Sequence, residues 1–518
     1  MDLYLDRSVD RPADTFPRQY ARTQRLTLGE PRDLTITHGG STVVFARSRG
    51  GSDPVNCLWS IDIASGVETL LADPVELLAD VAADRTDLPP EERARRERLR
   101  EGAGGVTAYS LSDDGRRATF ALAGLLFVTD LATAASSHVP VTGTVFDPRL
   151  SPDGERIAYV QGPALWSTDL RGNATLVASE AGVVSTVRWG SADFVAAEEM
   201  GRHRGHWWGP DSRVLAVCRV DDAPVPEWFI SDPADPSVAP VAVRYPSAGS
   251  PNPVVTLHLC RVDGSAPIDV TWDGDALPYL AKVQWNAHGL AITVQRRDQR
   301  SVEVRRVDPV TGSTTPVWVD HDDAWVELVP GTGVFVDASR VVVCADRDGA
   351  RRLVVGGDVV SPADIQVRGV VDADADRVVV VGNPIDDATV QHVYRWRAGS
   401  FEALTDVPGV HTAVASGDTT VIRTATLDQP RGQWMLPNGT PLPSVAERPL
   451  VRPLVTIRPH HGGTPAIAVL FPTDHGGGPL PVLLDPYGGP HAQRTVQASQ
   501  AFFTSQWFAD QGFAVVVA

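Results

Sequence analysis

Glu198 and Glu199 are adjacent carboxylates in the segment FVAAEEMGRHRGHWWGPDS (194–212), a few residues ahead of the aromatic pair Trp207 and Trp208. Two neighbouring carboxylates offer convergent acceptors, and an ammonium offers three donors to fill them. The pattern therefore suits a protonated amine. His203 and His206 have H-x-x-H spacing but lack a third ligand at a recognised distance, and His460 with His461 is a bare pair, so no metal is expected. The glycines of GGTP (462–465) and YGGP (487–490) do not have the spacing of a Walker or dinucleotide loop, so no organic cofactor is expected.

The whole chain sets limits on partners. Of its 518 residues 64 are acidic and 46 basic, a net charge of −18, which offers no field for a phosphate backbone and argues against nucleic acid. Lys282 is the only lysine. The start of the chain, MDLYLDRSVDRPADTFPRQY, is acidic where a signal peptide is basic, and no run approaches the ~20 apolar residues that span a bilayer. Cys57, Cys218, Cys260 and Cys344 are scattered, without a C-x-x-C pair, and read as reduced core residues. A cytoplasmic protein without a membrane partner is the expectation.

The elements that would position the carboxylates repeat along the chain. A turn of Asp, Gly or Asn followed by an alternating apolar strand recurs as HGGSTVVFARS from His38, DDGRRATFAL from Asp113, SPDGERIAYV from Ser151 and GPDSRVLAVCRV from Gly209. It returns as NAHGLAITVQ from Asn286, DASRVVVCAD from Asp337, DADADRVVVVGN from Asp372 and SGDTTVIRTA from Ser416. Steps near 40 residues, or near twice that, with several short strands per unit are the mark of a β-propeller. Between the first two turns, DLPPEERARRERLREG predicts an exposed helix over about 88–101, with Pro89 and Pro90 at its start and Glu91–Arg95 and Glu92–Arg96 as i,i+4 pairs.

After about residue 445 the pattern changes to short apolar strands, AIAVLF (466–471) and PVLLD (481–485), then a helix over about 495–511 capped by Gly512 and a buried strand FAVVVA (513–518). Strand, helix and buried strand begin an α/β domain with a parallel sheet. Such a sheet needs further crossovers, so the chain is expected to be part of something longer. The division expected is an N-terminal segment 1–30, a propeller 31–444 and the start of an α/β domain 445–518.

The Glu-Glu segment, followed by VRYPSAGSPNP (243–253) and LLDPYGGPHAQ (483–493), resembles the prolyl oligopeptidase superfamily of serine peptidases, and within it the dipeptidyl peptidase IV subfamily. RERLREGAGGVTAY (96–109) is most similar to the cytosolic branch, dipeptidyl peptidases 8 and 9 and their bacterial relatives. The resemblance implies an eight-bladed propeller followed by an α/β-hydrolase domain, a Ser-Asp-His triad, dimerisation, and release of N-terminal dipeptides with Pro or Ala second. By the same resemblance Glu198 and Glu199 bind the substrate's free amine, Arg100 reaches from the inserted helix to its backbone carbonyl, and Tyr487 donates to the oxyanion. No G-x-S-x-G nucleophile elbow occurs in these residues, so none is assigned to the triad and the chain alone is expected to be inactive. A non-catalytic peptide-binding propeller is the alternative.

Overall fold

A computed structural model describes residues 14–80, 88, 90–98, 100–182, 185–458, 466–489 and 492–518. Among the described residues five short helices, α1 (Phe16–Arg22), α2 (Pro74–Asp80), α3 (Pro90–Arg98), α4 (Phe194–Glu199) and α5 (Phe503–Ala509), punctuate a fold in which strands predominate. His460 and His461 lie outside the described residues.

Among the described residues eight sheets follow one another along the chain, built from antiparallel pairs mostly in chain order, the exception in sense being Gly104–Gly105, which runs parallel to Val55–Asp62 in the first. The turn-strand phrases of the sequence supply the second strand on the path of every one: Thr42–Ser48, Arg117–Leu122, Arg156–Gln161, Val214–Asp221, Gly289–Gln295, Val341–Arg347, Arg377–Pro384 and Thr419–Ala425. These are interior strands, with both edges paired and both faces covered, so they carry the longest apolar runs.

Alternation of side chains along each strand divides them between two cores. In Val214–Asp221 of the fourth sheet, Leu215 and Val217 pack with the third sheet, whereas Ala216 and Cys218 pack with the fifth. Every neighbouring pair of sheets shares a core in this way, and the first and last join as well. Val43, Phe45 and Ile61 of the first sheet are buried against Val421 of the eighth, with Leu436 and Leu442 beside it. Sheets that bury both faces against their neighbours around a circuit are the arrangement of a β-propeller.

The turns explain their sequence. In SPDG, Ser151 Oγ donates to Asp153 Oδ1 at 2.6 Å and accepts from Arg156 N at 3.0 Å, while Gly154 takes φ +71°. A Cβ is disfavoured there, which makes glycine the natural residue at that point of the turn.

Beyond the eighth sheet, strands Val455–Arg458, Ile467–Leu470, Val482–Asp485 and Ala514–Val517 form a mixed sheet rather than a wholly parallel one. Ile467–Leu470 runs antiparallel to both its neighbours, and only Val482–Asp485 with Ala514–Val517 is parallel. That is the pair joined by a helical crossover, which returns the chain in the same sense. The crossover is shorter than the sequence suggests: a 3-10 turn at Ser499–Phe502 leads into α5, and Gly512, at φ +101°, lies two residues past the cap Asp510. Phe16 and Leu26 of the N-terminal segment pack on Phe503 of α5.

Candidate functional site

α4 grows from Asp193, whose Oδ1 accepts from Ala196 N at 3.0 Å and so satisfies one of the open amides of the first turn. Its other oxygen accepts from Arg202 Nη2 at 2.6 Å. Arg202 also donates to Leu280 O at 3.0 Å and Arg204 O at 3.1 Å, which ties the loop after α4 to the fifth sheet. This buried pair fixes both ends of the Glu-Glu segment. Trp207 and Trp208 then act as wedges on opposite faces of one short strand: Trp207 enters the core shared with the fifth sheet and Trp208 the core shared with the third. Trp208 Nε1 donates to Arg149 O at 2.9 Å.

Glu198 and Glu199 stand exposed at the C-terminal end of α4. The sequence marks them as part of a mixed segment, and the helix end leaves both side chains open to solvent. Glu198 Oε2 lies 3.8 Å from Arg98 Nε. The Arg98 guanidinium sits 5.3 Å over the Phe194 ring, and Phe194 meets Tyr245 edge-on at 5.3 Å. Desolvation lowers the pKa of Arg98, with Glu198 opposing it. Arg98, Phe194, Ala197 and Arg244 line a groove of about 400 Å3 beside the carboxylates. A pair of accessible acceptors next to a guanidinium can hold an ammonium and the carbonyl near it together.

Arg100 is not brought to this place. Its side chain borders a different groove, with Phe16, Tyr20 and Trp507. α3 ends at Arg98, and Arg100 turns away at φ +51°; residues two apart on a helix already face different sides. Of the two arginines, Arg98 is the one beside Glu198. Nor is α3 a free surface helix. Glu92 is gripped by Arg95 at 2.7 Å and Arg96 at 2.6 Å, and these face a cavity. Glu92–Arg96 is the expected pair, whereas Arg95 takes Glu92 at i,i+3 in place of Glu91.

Tyr487 follows strand Val482–Asp485, with its amide donating to Ala518 O at 3.3 Å. The side chain is half-exposed and its phenol makes no hydrogen bond to another described residue. It folds over Gly489, where a Cβ would lie 2.5 Å from the hydroxyl, so only glycine leaves room for this ring position. No described hydrogen bond or ion pair links Tyr487 to the Glu pair.

His203 and His206 lie in different surroundings. His206 is buried with Nδ1 3.0 Å from Gly190 O, and burial pulls its pKa down to about 4, while His203 lines the groove wall. Among the described residues no group of three or more His, Cys, Asp or Glu could hold a metal. Cys57, Cys218 and Cys260 are free and buried, and Cys344 is free and half-buried. No helix among the described residues is long and apolar enough to cross a membrane.

Residues 107–426 match the family model described as the dipeptidyl peptidase IV N-terminal region. The chain is 27% identical over 286 residues to the probable dipeptidyl peptidase 4 of Emericella nidulans, a match covering 49% of this chain and 36% of the relative. It is 23% identical over 301 residues to mouse dipeptidyl peptidase 8, covering 46% and 34%. The matched stretch is thus only about a third of those relatives' length. In fold it is similar to Porphyromonas gingivalis dipeptidyl peptidase 4, with a TM-score of 0.74 at 19% identity, covering 98% of this chain and 74% of that one. A putative dipeptidyl aminopeptidase IV from Bacteroides ovatus gives 0.69 at 17% identity, covering 96% and 74%.

Proposed function

The chain belongs to the dipeptidyl peptidase IV family, and from that premise we propose that it serves a serine-type exopeptidase releasing N-terminal X-Pro and X-Ala dipeptides. The observation that carries the reading is the exposed Glu198–Glu199 pair with Arg98 beside it. In this proposal an eight-bladed propeller clamps the peptide's free amine between the two carboxylates, and Arg98 takes the carbonyl role that the resemblance gives an arginine of the inserted helix. Tyr487, on the first strands of an α/β-hydrolase domain, supplies an oxyanion donor. The eight sheets and the shared core of the first and last support the propeller.

The reading extends to a location in the cytoplasm and to a homodimer. The dimer is supported by a two-stranded arm, Glu227–Ile230 with Val241–Arg244, on which Trp228, Phe229, Ile230 and Val241 are all more than half exposed. Apolar side chains in that density on one projection favour burial against another surface.

Calorimetric titration of the chain with a short proline-second peptide tests the clamp. A charge-assisted contact contributes ~1.5–3 kcal/mol, so Glu198→Gln or Glu199→Gln weakens binding by about tenfold or more. Acetylating the peptide's amine does the same to the unmodified chain. Arg98→Met weakens binding and Arg100→Met does not. Equal affinity for acetylated and free peptides would remove the exopeptidase reading.

Chemistry needs a nucleophile, and none is assigned in this chain. The 518 residues alone are expected not to turn over a Gly-Pro chromogenic substrate. Turnover abolished by a fluorophosphonate would reveal a serine nucleophile in the chain and reject that expectation.

A further inference from the structure

Arg98 comes to the Glu pair from a separate element, α3, while Glu198 and Glu199 stand on α4. Its side chain makes no hydrogen bond to another described residue, and the 3.8 Å to Glu198 is longer than a hydrogen bond. A long side chain left loose beside a ligand loses rotamer freedom when the ligand binds, and affinity falls accordingly. What holds this guanidinium is a ring. Phe194 and Glu198 are four apart on α4, so they share one side of the helix. The guanidinium, 5.3 Å from the Phe194 ring centre, therefore meets an aromatic ring and a carboxylate one helical turn apart.

The Phe194 ring is held in turn from outside α4. Tyr245 meets it at 5.3 Å with the ring planes 73° apart, and Trp228 meets Tyr245 at 5.6 Å and 69°. Both contacts have the edge-to-face geometry that aromatic pairs prefer. Trp228 lies on strand Glu227–Ile230 of the arm, and Tyr245 directly follows its partner strand Val241–Arg244. The Tyr245 backbone is fixed on both sides: its amide donates to Pro226 O at 3.1 Å, and its carbonyl accepts from Ser247 N at 3.0 Å. Beside it, Arg244 donates to Val225 O at 2.6 Å and pairs with Glu227 at 2.9 Å, which closes the base of the arm. The Tyr245 phenol makes no hydrogen bond to another described residue, so this position uses the ring and not the hydroxyl. Three rings thus run from the arm to the guanidinium.

We propose that Phe194 and Tyr245 are positioning residues for the amine clamp: Tyr245, fixed at the base of the arm, holds the Phe194 ring against Arg98 and so sets the guanidinium beside Glu198. The consequence for peptide binding rests on the function proposed above, whereas the placing of Arg98 does not.

Two readouts keep these apart. The first needs no peptide. Phenylglyoxal reacts with free guanidinium groups, and its rate at Arg98 in the full chain, located by mass spectrometry, is expected to rise about fivefold in Phe194→Leu and in Tyr245→Leu and to stay unchanged in Tyr245→Phe. Tyr245 is 42% exposed, so its Leu variant carries the test if Phe194→Leu does not fold. The second readout is calorimetric titration with the tripeptide Ala-Pro-Ala. Tyr245→Leu weakens binding about fivefold, Tyr245→Phe restores it, and Tyr245→Leu adds nothing in a chain that already carries Arg98→Met. A ring that served only the fold would weaken binding equally with and without Arg98. The proposal is overturned if Arg98 is labelled no faster in Tyr245→Leu, if Tyr245→Phe behaves as Tyr245→Leu does, or if Tyr245→Leu and Arg98→Met weaken binding additively. Equal binding of free and acetylated Ala-Pro-Ala rejects the clamp itself, and the labelling rates then decide the positioning alone.

Discussion

Replacing Asp193 by Ala is expected to lower the stability of the chain by about 3–5 kcal/mol, seen as a lower urea midpoint at unchanged slope. Asp193 and Arg202 are 7% and 4% exposed at the side chain, so removing the carboxylate leaves a guanidinium buried without its counter-charge. The same carboxylate caps α4, a contribution of about 1 kcal/mol that overlaps with the first rather than adding to it. Asp193→Asn separates the two, because an amide oxygen still caps the helix while the charge is gone. If the pair is the main term, Asn is nearly as harmful as Ala. A loss below about 1 kcal/mol in both would mean that the carbonyls of Leu280 and Arg204 satisfy Arg202 without a carboxylate. Because the pair anchors both ends of the Glu-Glu segment, peptide binding falls with stability in either variant.

The repeat was legible because the interior strand of every sheet has the same physical task. Residues such as Ile157, Ala158, Tyr159 and Val160 are all buried, so the sequence cannot relax into polar alternation, and the turn before them needs Asp and Gly for its own bonds. Edge strands were harder to see. Ala174–Ala178 and Thr314–His321 have half-exposed or exposed positions along much of their length, and their composition is that of loops. The helix over 88–101 was legible in type through Pro, Glu and Arg placement, but its last turn was not. Arg95, Arg96, Arg98 and Arg100 look alike in composition, and which one reaches Glu198 depends on where the helix unwinds, a local event near residue 100.

The Glu pair could be found because its two residues are adjacent in the chain. The cavity beside α3 could not, since lining residues such as Thr107, Arg149, Trp207 and Lys282 are separated by tens of residues and border one space only when the sheets are set around it. Tyr487 lies between these cases. The run LLDPYGGP is conspicuous, yet the reason for its second glycine is three-dimensional: the phenol folds back over Gly489.

In a form of the protein that carries a nucleophile elbow, Tyr487→Phe is expected to lower kcat on the order of 10²-fold and leave KM near its original value. The substitution removes one hydroxyl and keeps the ring that packs over Gly489, so binding of the ground state is little affected. A donor that meets only developing negative charge acts on the transition state, and the loss therefore falls on kcat. The residue sits just past the C-terminal end of a strand in the parallel pair of the mixed sheet, the end at which α/β sheets gather their reactive groups. Gly489→Ala makes the independent test, because its Cβ would collide with the phenol and displace the hydroxyl without deleting it. A fall in kcat shared by both variants, with both folded, ties the rate to the hydroxyl's position. Full kcat in a folded Phe variant would move Tyr487 out of the catalytic set and make it a turn residue packed against its own loop.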